Sequence, residues 1–134
     1  MRVLILGGSG MLGHRLWLTL RQAYETWVTL RSSADVARYK AFDLDRACYP
    51  VDALRRGDLT RAMAAVRPDC VINCIGLIKQ LPIAGDPLSA ITVNAQLPHR
   101  ISLISRAANA RLIHISTDCV FNGVKGNYTE DDHS

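Results

Sequence analysis

Val3-Leu4-Ile5-Leu6, followed by Gly7-Gly8-Ser9-Gly10-Met11-Leu12-Gly13, is the stretch that decides the fold. The first four residues form a continuous apolar run, as expected of a strand buried on both faces of a sheet. Glycines end the run. A helical pattern with Leu12, Leu16, Leu18 and Leu20 then extends from Met11 to Tyr24. The glycines fit G-x-x-G-x-x-G at Gly7, Gly10 and Gly13, and also G-x-G-x-x-G at Gly8, Gly10 and Gly13. Either frame brings the backbone around Gly7, Gly10, Met11, Leu12 and Gly13 to a pyrophosphate at the start of the helix. The glycines permit the turn, Gly10 removes a blocking Cβ, and Gly13 lets the helix approach the sheet. A purely structural turn is the competing reading.

Downstream, strand and helix signals alternate. Strands are expected at Trp27 to Leu30, near Tyr49 to Val51, at Cys70 to Ile75 and at Leu112 to Ser116. A short helix is expected over Ala34 to Tyr39. Asp58 has the chemistry of an N-cap for a helix from Leu59 to Val66, which Arg67-Pro68-Asp69 ends. Asp86 opens a helical stretch to about Ala108, with a kink expected at Pro98, which lacks an amide donor. This alternation predicts an α/β fold: a Rossmann-type, doubly wound parallel sheet of about five strands occupying residues 1–134. Ligands of such sheets bind beyond the carboxyl ends of the strands.

The residues at those ends are the candidate site. Arg31 stands where an acidic residue would bind the ribose of NAD, and its fork suits a 2′-phosphate. The expected cofactor is therefore NADP as NADPH, with NAD also admissible; a solvated surface Arg is the alternative. Asp52 and Ala53 are placed to reach an adenine edge, or form an ordinary loop. Asn73, Cys74, Ile75 and Gly76 end the fourth strand over the expected groove, or simply break the strand. Ser116 and Thr117 place hydroxyls at the end of the fifth strand, or cap it as a turn. His114 reads as a packed, hydrogen-bonded histidine rather than a catalytic one. His14, at the start of the first helix, reads as solvated or as a phosphate contact.

Composition bounds the remaining possibilities. The chain has 134 residues, 49% hydrophobic and 21% charged, with net charge +4 from 16 Lys+Arg against 12 Asp+Glu. It reads as one soluble globular domain. The basic residues form no run, so no nucleic-acid partner is expected. No stretch reaches membrane-span length, so no membrane partner is expected and a cytoplasmic location is the default. Cys48, Cys70, Cys74 and Cys119 lack metal-ligand spacing and read as buried free thiols; no metal is expected.

Taken together, the glycine turn, Arg67-Pro68-Asp69-Cys70-Val71-Ile72-Asn73, Asn94 and Ser116-Thr117-Asp118-Cys119-Val120-Phe121 resemble the extended short-chain dehydrogenases/reductases. Within them they are most similar to the dTDP-4-dehydrorhamnose reductase group, whose members carry RPD-hydrophobic-N and STD-x-VF-G. Gly123 completes the second pattern, and Tyr128-Thr129-Glu130-Asp131-Asp132 resembles the acidic segment that follows. The resemblance covers nearly the whole chain and is most specific in its second half.

It implies an NADPH-dependent reductase of a 4-keto nucleotide sugar, serving polysaccharide precursor synthesis, with a nucleotide-sugar substrate and a homodimer as one option for the full-length protein. Thr117 takes the family's catalytic hydroxyl position and Asn94 that of the active-site helix Asn; a plain helix-surface Asn is the alternative for the latter. The Tyr and Lys of the family's Y-x-x-x-K have no counterpart: Val28, Asp43, Ala53 and Asp132 stand four residues after Tyr24, Tyr39, Tyr49 and Tyr128. Cys119 also replaces an expected aromatic residue. The chain therefore reads as the N-terminal portion of a longer protein, inactive alone and lacking the substrate-binding part. A nucleotide-sugar epimerase or dehydratase, or a non-catalytic NAD(P)-binding regulatory protein, remains an alternative.

Overall fold

The computed structural model describes residues 1–32, 34–35, 42–55, 57–78, 82–117 and 120–133. Five parallel strands run β1 (Arg2–Leu6), β2 (Glu25–Thr29), β3 (Ala47–Cys48), β4 (Cys70–Asn73) and β5 (Arg111–His114). Their spatial order is β3-β2-β1-β4-β5. The chain winds outward from β1 to β3, then returns to the other side of β1 for β4 and β5. The order reverses between β1 and β4, the crevice in which doubly wound sheets hold ligands. Helices α1 (Met11–Leu20), α2 (Asp58–Val66), α3 (Pro87–Ala90) and α4 (Leu97–Ala107) fill the connections, with a π-helical segment at Ile91–Gln96.

The apolar run of β1 is buried on both faces, as its composition predicts. Val3 and Ile5 join Trp17, Val28, Phe42 and Ile72 on the α1 side. Leu4 and Leu6 join Leu59, Met63, Val71 and Ile101 on the side of α2 and α4. Period-two alternation thus splits one strand between two cores. Burying these four side chains contributes about 6–12 kcal/mol before the cost of ordering the chain is set against it.

Several boundaries differ from the sequence expectations. α1 ends at Leu20 rather than Tyr24, and 21–24 close it through turns onto Trp17 and Leu20 carbonyls. β3 lies at Ala47–Cys48, not near Tyr49 to Val51. Pro50 has no amide to contribute to a ladder; the pairing there is instead Leu30 N–H to Cys48 O and Val51 N–H to Leu30 O. β4 stops at Asn73 because the Asn73 Oδ1 accepts the Ile75 amide at 3.1 Å and turns the chain away. Asp58 is not the N-cap of α2: Gly57, at φ +89°, holds that place. The Asp58 carboxylate accepts instead from the Asp52 amide at 3.0 Å and from Arg61 at 2.9 Å. These two donors hold its carboxyl below the ordinary carboxylate range.

Asp86 does cap its helix, accepting from the Leu88 and Ser89 amides. The disturbance expected at Pro98 takes the form of the π-helical segment that precedes it. Pro98 cannot donate to the Asn94 carbonyl four residues back, and the Leu97 amide reaches five residues back to Thr92 O. Of the helix expected over Ala34 to Tyr39, Ala34 and Asp35 are helical and the rest lies outside the described residues.

Candidate functional site

The carboxyl ends of β1 and β4 are the centre of the site, and the four glycines after β1 do different jobs there. Gly7 has φ +83°, and a Cβ on it would lie 2.9 Å from Ile75 Cγ1. A Cβ on Gly8 would lie 1.9 Å from Val28 Cγ2. One on Gly13 would lie 2.3 Å from the Gly7 carbonyl oxygen. The packing of the chain itself therefore requires glycine at these three positions. Gly10 is different. Its φ of −75° and ψ of 160° suit any residue, and a Cβ there meets only Gly7 O at 3.4 Å. The space beside Gly10 opens to the outside of the protein.

That space faces the start of α1. The amides of Met11, Leu12 and Gly13 have no intrahelical acceptor, as at any helix start. Gly10, at the N-cap, brings no side chain to this end, and no acidic residue lies in the first turn. The positive end of the helix dipole is thus left for an anion. Met11 is 92% exposed and Leu12 40% exposed beside it. The residues present fit a dinucleotide pyrophosphate. His14 is not solvated: it is half-buried and meets Phe42 edge-on at 5.5 Å.

The end of β4 forms the opposing wall. Asn73 is fully buried, and its Nδ2 lies 3.0 Å from His114 Nδ1. Oδ1 takes the Ile75 amide, which leaves Nδ2 facing the His114 ring. His114 is hydrogen-bonded as expected, but exposed rather than packed. Cys74 is half-buried, and burial pushes its thiol up to about 11. Its backbone passes within 3.4 Å of where a Gly7 Cβ would stand. Gly76 is exposed, with Asn94 Oδ1 3.8 Å from its Cβ position.

Asn94 lies in the π-helical segment and grips the loop after β4 with both ends of its amide. Its Oδ1 accepts the Leu77 amide at 2.8 Å and its Nδ2 donates to the Leu77 carbonyl at 2.9 Å. Nothing in the sequence flags Leu77, because the recognition is of its backbone. Its one signal is indirect: Pro98 four residues after Asn94.

At the outer ends of the sheet, Arg31 is exposed and forms no ion pair among the described residues. Asp52 accepts the Leu54 amide at 3.0 Å and lies 3.8 Å from Arg55, which makes it the first residue of a turn through Ala53. Thr117 and Ser116 are exposed and follow β5 by two to three residues. Asp118 and Cys119 lie outside the described residues. Beyond them, Phe121 and Tyr128 stack at 4.5 Å, Tyr128 donates to Asn122, and Lys125 pairs with Asp132. The Lys125 ammonium and the Thr129 amide hold the Asp132 carboxyl below its ordinary range.

Free thiols are seen at Cys48, Cys70 and Cys74. Among the described residues no cluster of three or more His, Cys, Asp or Glu could hold a metal, and no helix is long and apolar enough to cross a membrane.

Comparison with known proteins agrees with this fold. The family described as RmlD substrate binding domain matches residues 1–134. The dTDP-4-dehydrorhamnose reductase of Streptomyces griseus is 33% identical over 80% of this chain and 38% of its own length. Methionine adenosyltransferase 2 subunit beta of Mus musculus is 28% identical over 98% of this chain and 36% of its own. The crystal structure of dTDP-4-dehydrorhamnose reductase from Bacillus anthracis in complex with NADP superimposes with TM-score 0.71 at 25% identity, covering 93% of this chain and 39% of that one. The chain spans well under half the length of each.

Proposed function

This chain belongs to the RmlD substrate-binding-domain family, and on that premise we propose that it is the cofactor-binding portion of an NADPH-dependent reductase of a 4-keto nucleotide sugar. The observation that carries the reading is Gly10. A Cβ at Gly7, Gly8 or Gly13 would collide with the protein itself, whereas one at Gly10 would meet only the Gly7 carbonyl oxygen at 3.4 Å, at the start of α1 where a phosphate would lie. The relatives supply the substrate class: the Streptomyces protein is a dTDP-4-dehydrorhamnose reductase, and the Bacillus reductase was crystallised with NADP.

In this reading the α1 amides hold the pyrophosphate and Arg31 pairs with the 2′-phosphate. Asp52 and Ala53 border the adenine, and Asn73 to Gly76 line the nicotinamide end of the groove. When bound, the dihydronicotinamide supplies a hydride to the keto carbon. Thr117 donates a hydrogen bond to the keto oxygen as negative charge develops there. Asn94 fixes the loop after β4 by holding Leu77. The proton for the oxygen comes from a Tyr of a Y-x-x-x-K pair, which residues 1–134 do not contain.

The test is titration of the chain with NADPH, followed by an assay with a dTDP-4-keto-6-deoxy sugar. The chain binds NADPH and does not oxidise it. A longer product of the gene that carries Y-x-x-x-K turns over, and Thr117→Val in it lowers kcat by about 10²-fold or more. NADPH oxidation by the 134-residue chain itself would overturn the placement of the acid. The likeness to a methionine adenosyltransferase subunit favours a second reading, a dinucleotide-binding regulatory subunit. Binding without turnover in a longer product lacking Y-x-x-x-K would select it.

A further inference from the structure

The helices α2 and α4 lie side by side on one face of the sheet and leave a groove of about 700 Å³ between them. Its walls include Met63, Ala64 and Arg67 from α2 and its C-cap, and Leu103, Ile104 and Ala107 from α4. The carboxyl ends of these helices lead into β4 and β5, so the groove lies toward the amino edge of the sheet, opposite the edge that holds Gly10. Leu103 is 62% exposed there. Beneath the groove, Met63 and Ile104 also border a void of about 10 Å³ closed by Leu6, Leu59 and Ile101. An apolar void of that size stays dry. It gives Met63, a soft and unbranched side chain, room to shift when something fills the groove above it.

Charge says what kind of occupant fits. Neither 59–68 nor 87–117 contains an Asp or a Glu, while Arg61, Arg67, Arg100, Arg106 and Arg111 all fall within these two stretches. Arg61 pairs with Asp58. Arg67 and Arg100 form no ion pair among the described residues. Arg67 lines the groove, and Arg100 stands on the same stripe of α4 as Ile104 and Ala107, at the spacing i, i+4, i+7. We propose that this groove is a docking surface for an amphipathic helix of a partner protein, one whose apolar stripe is flanked by Asp and Glu. The apolar stripe packs on Leu103 and Ile104, the small Ala64 and Ala107 let the incoming backbone come close, and the carboxylates meet Arg67 and Arg100. A second copy of the chain fits worse, because a two-fold pairing of this face would set its arginines against one another. The inference goes beyond the dinucleotide reading and does not depend on it.

The probe is a fluorescein-labelled synthetic helix of about five turns, with Leu at i, i+3, i+4 and i+7 and Glu on both flanks. Its counterpart carries Lys in place of every Glu. Fluorescence anisotropy is followed on the 134-residue chain at low and at physiological salt. The acidic helix should bind saturably and more weakly as salt rises, and the Lys helix about tenfold more weakly or worse. The double variant Arg67→Glu, Arg100→Glu should weaken the acidic helix by about tenfold or more and strengthen the Lys helix. Leu103→Asp should remove binding of the acidic helix; its side chain is exposed, and circular dichroism checks that both variants fold. No saturable binding of the acidic helix overturns the proposal, as does equal binding of the two helices or retained binding by Leu103→Asp. Sedimentation of the unmodified chain as a dimer that Leu103→Asp dissociates also overturns it, since a second copy then covers the groove.

Discussion

The turn after β1 and the segment after β5 both lie at the carboxyl edge of the sheet, yet they are built on different principles. The first is enclosed. Gly7, Gly8 and Gly13 touch Ile75, Val28 and one another so closely that no side chain fits. The second is exposed along almost its whole length and is held by local bonds: the Phe121–Tyr128 stack, Tyr128 to Asn122, and Lys125 and Thr129 to Asp132. Among the described residues β5 is an outer strand of the sheet, and Ile113 and Ile115 are 40% and 43% exposed. The half that would hold a cofactor is thus part of the core, while residues 121–132, beyond Thr117, are tied by bonds within their own stretch. Binding and chemistry depend on different parts of the molecule and should be separable by substitution.

The harshest way to break the comparison is Gly13→Val. Its Cβ would stand 2.3 Å from the Gly7 carbonyl oxygen, and backbone on both sides cannot yield. We expect a loss of about 3 kcal/mol or more in denaturant unfolding, enough to unfold much of the population. Gly10→Val, three residues earlier, should leave unfolding within about 1 kcal/mol of the unmodified chain and remove NADPH binding. Calorimetric titration and denaturant melts on the two proteins decide it; similar stabilities, or retained binding by the Gly10 variant, would contradict the division of labour. Next in size is Arg31→Ala, which should weaken NADPH by about 1.5–3 kcal/mol and leave NADH nearly unchanged, provided that the guanidinium meets the 2′-phosphate.

Cys74 tests the enclosed wall by pH. Its thiol is pushed up from 9.0 to about 11 by burial. Between those values the unfolded chain loses the proton and the folded chain keeps it, so this residue's contribution is whole below pH 9 and is lost as pH rises toward 11. Cys74→Ala should therefore flatten the decline of unfolding free energy across that window, and the thiol should react slowly with iodoacetamide at pH 8. The smallest effect belongs to the outer segment. Tyr128→Phe removes the bond to Asn122 and the bond from the Lys125 amide while keeping the ring stack. Global stability should move by less than about 0.5 kcal/mol, while proteolytic cutting within 120–133 accelerates. A large global loss would show that the segment supports the sheet after all.

What was legible in the sequence followed the same division. The β1–turn–α1 unit could be read directly, because its apolar run, its glycines and its helical period all report one local arrangement. The ends of β3 and β5 could not, because the first is set by two backbone bonds of Leu30, one with Cys48 and one with Val51, and the second by where Asn73 meets His114. Asp58 had the chemistry of a cap and was recruited by the Asp52 amide across the loop. Pro98 announced a disturbance but not its form, a π-helical segment that turns Asn94 onto Leu77. The glycine pattern marked four residues alike; only the distances separate Gly10 from the other three.

The central place of β1 has a consequence in time. Arg2 pairs with Glu25, but Val3 pairs with Cys70 on the other side. Closing the longer loop costs roughly 1 kcal/mol more in chain entropy than closing the shorter one. At about 5–20 residues per second, a ribosome must run for several seconds after β1 before β4 exists to cover its second edge. The strand that ends most deeply buried is thus the one left half-covered longest during synthesis. Any holding factor that meets the nascent chain has an apolar target at Val3 to Leu6, and slowing translation just before Cys70 should lengthen that exposure more than slowing it anywhere after Asn73.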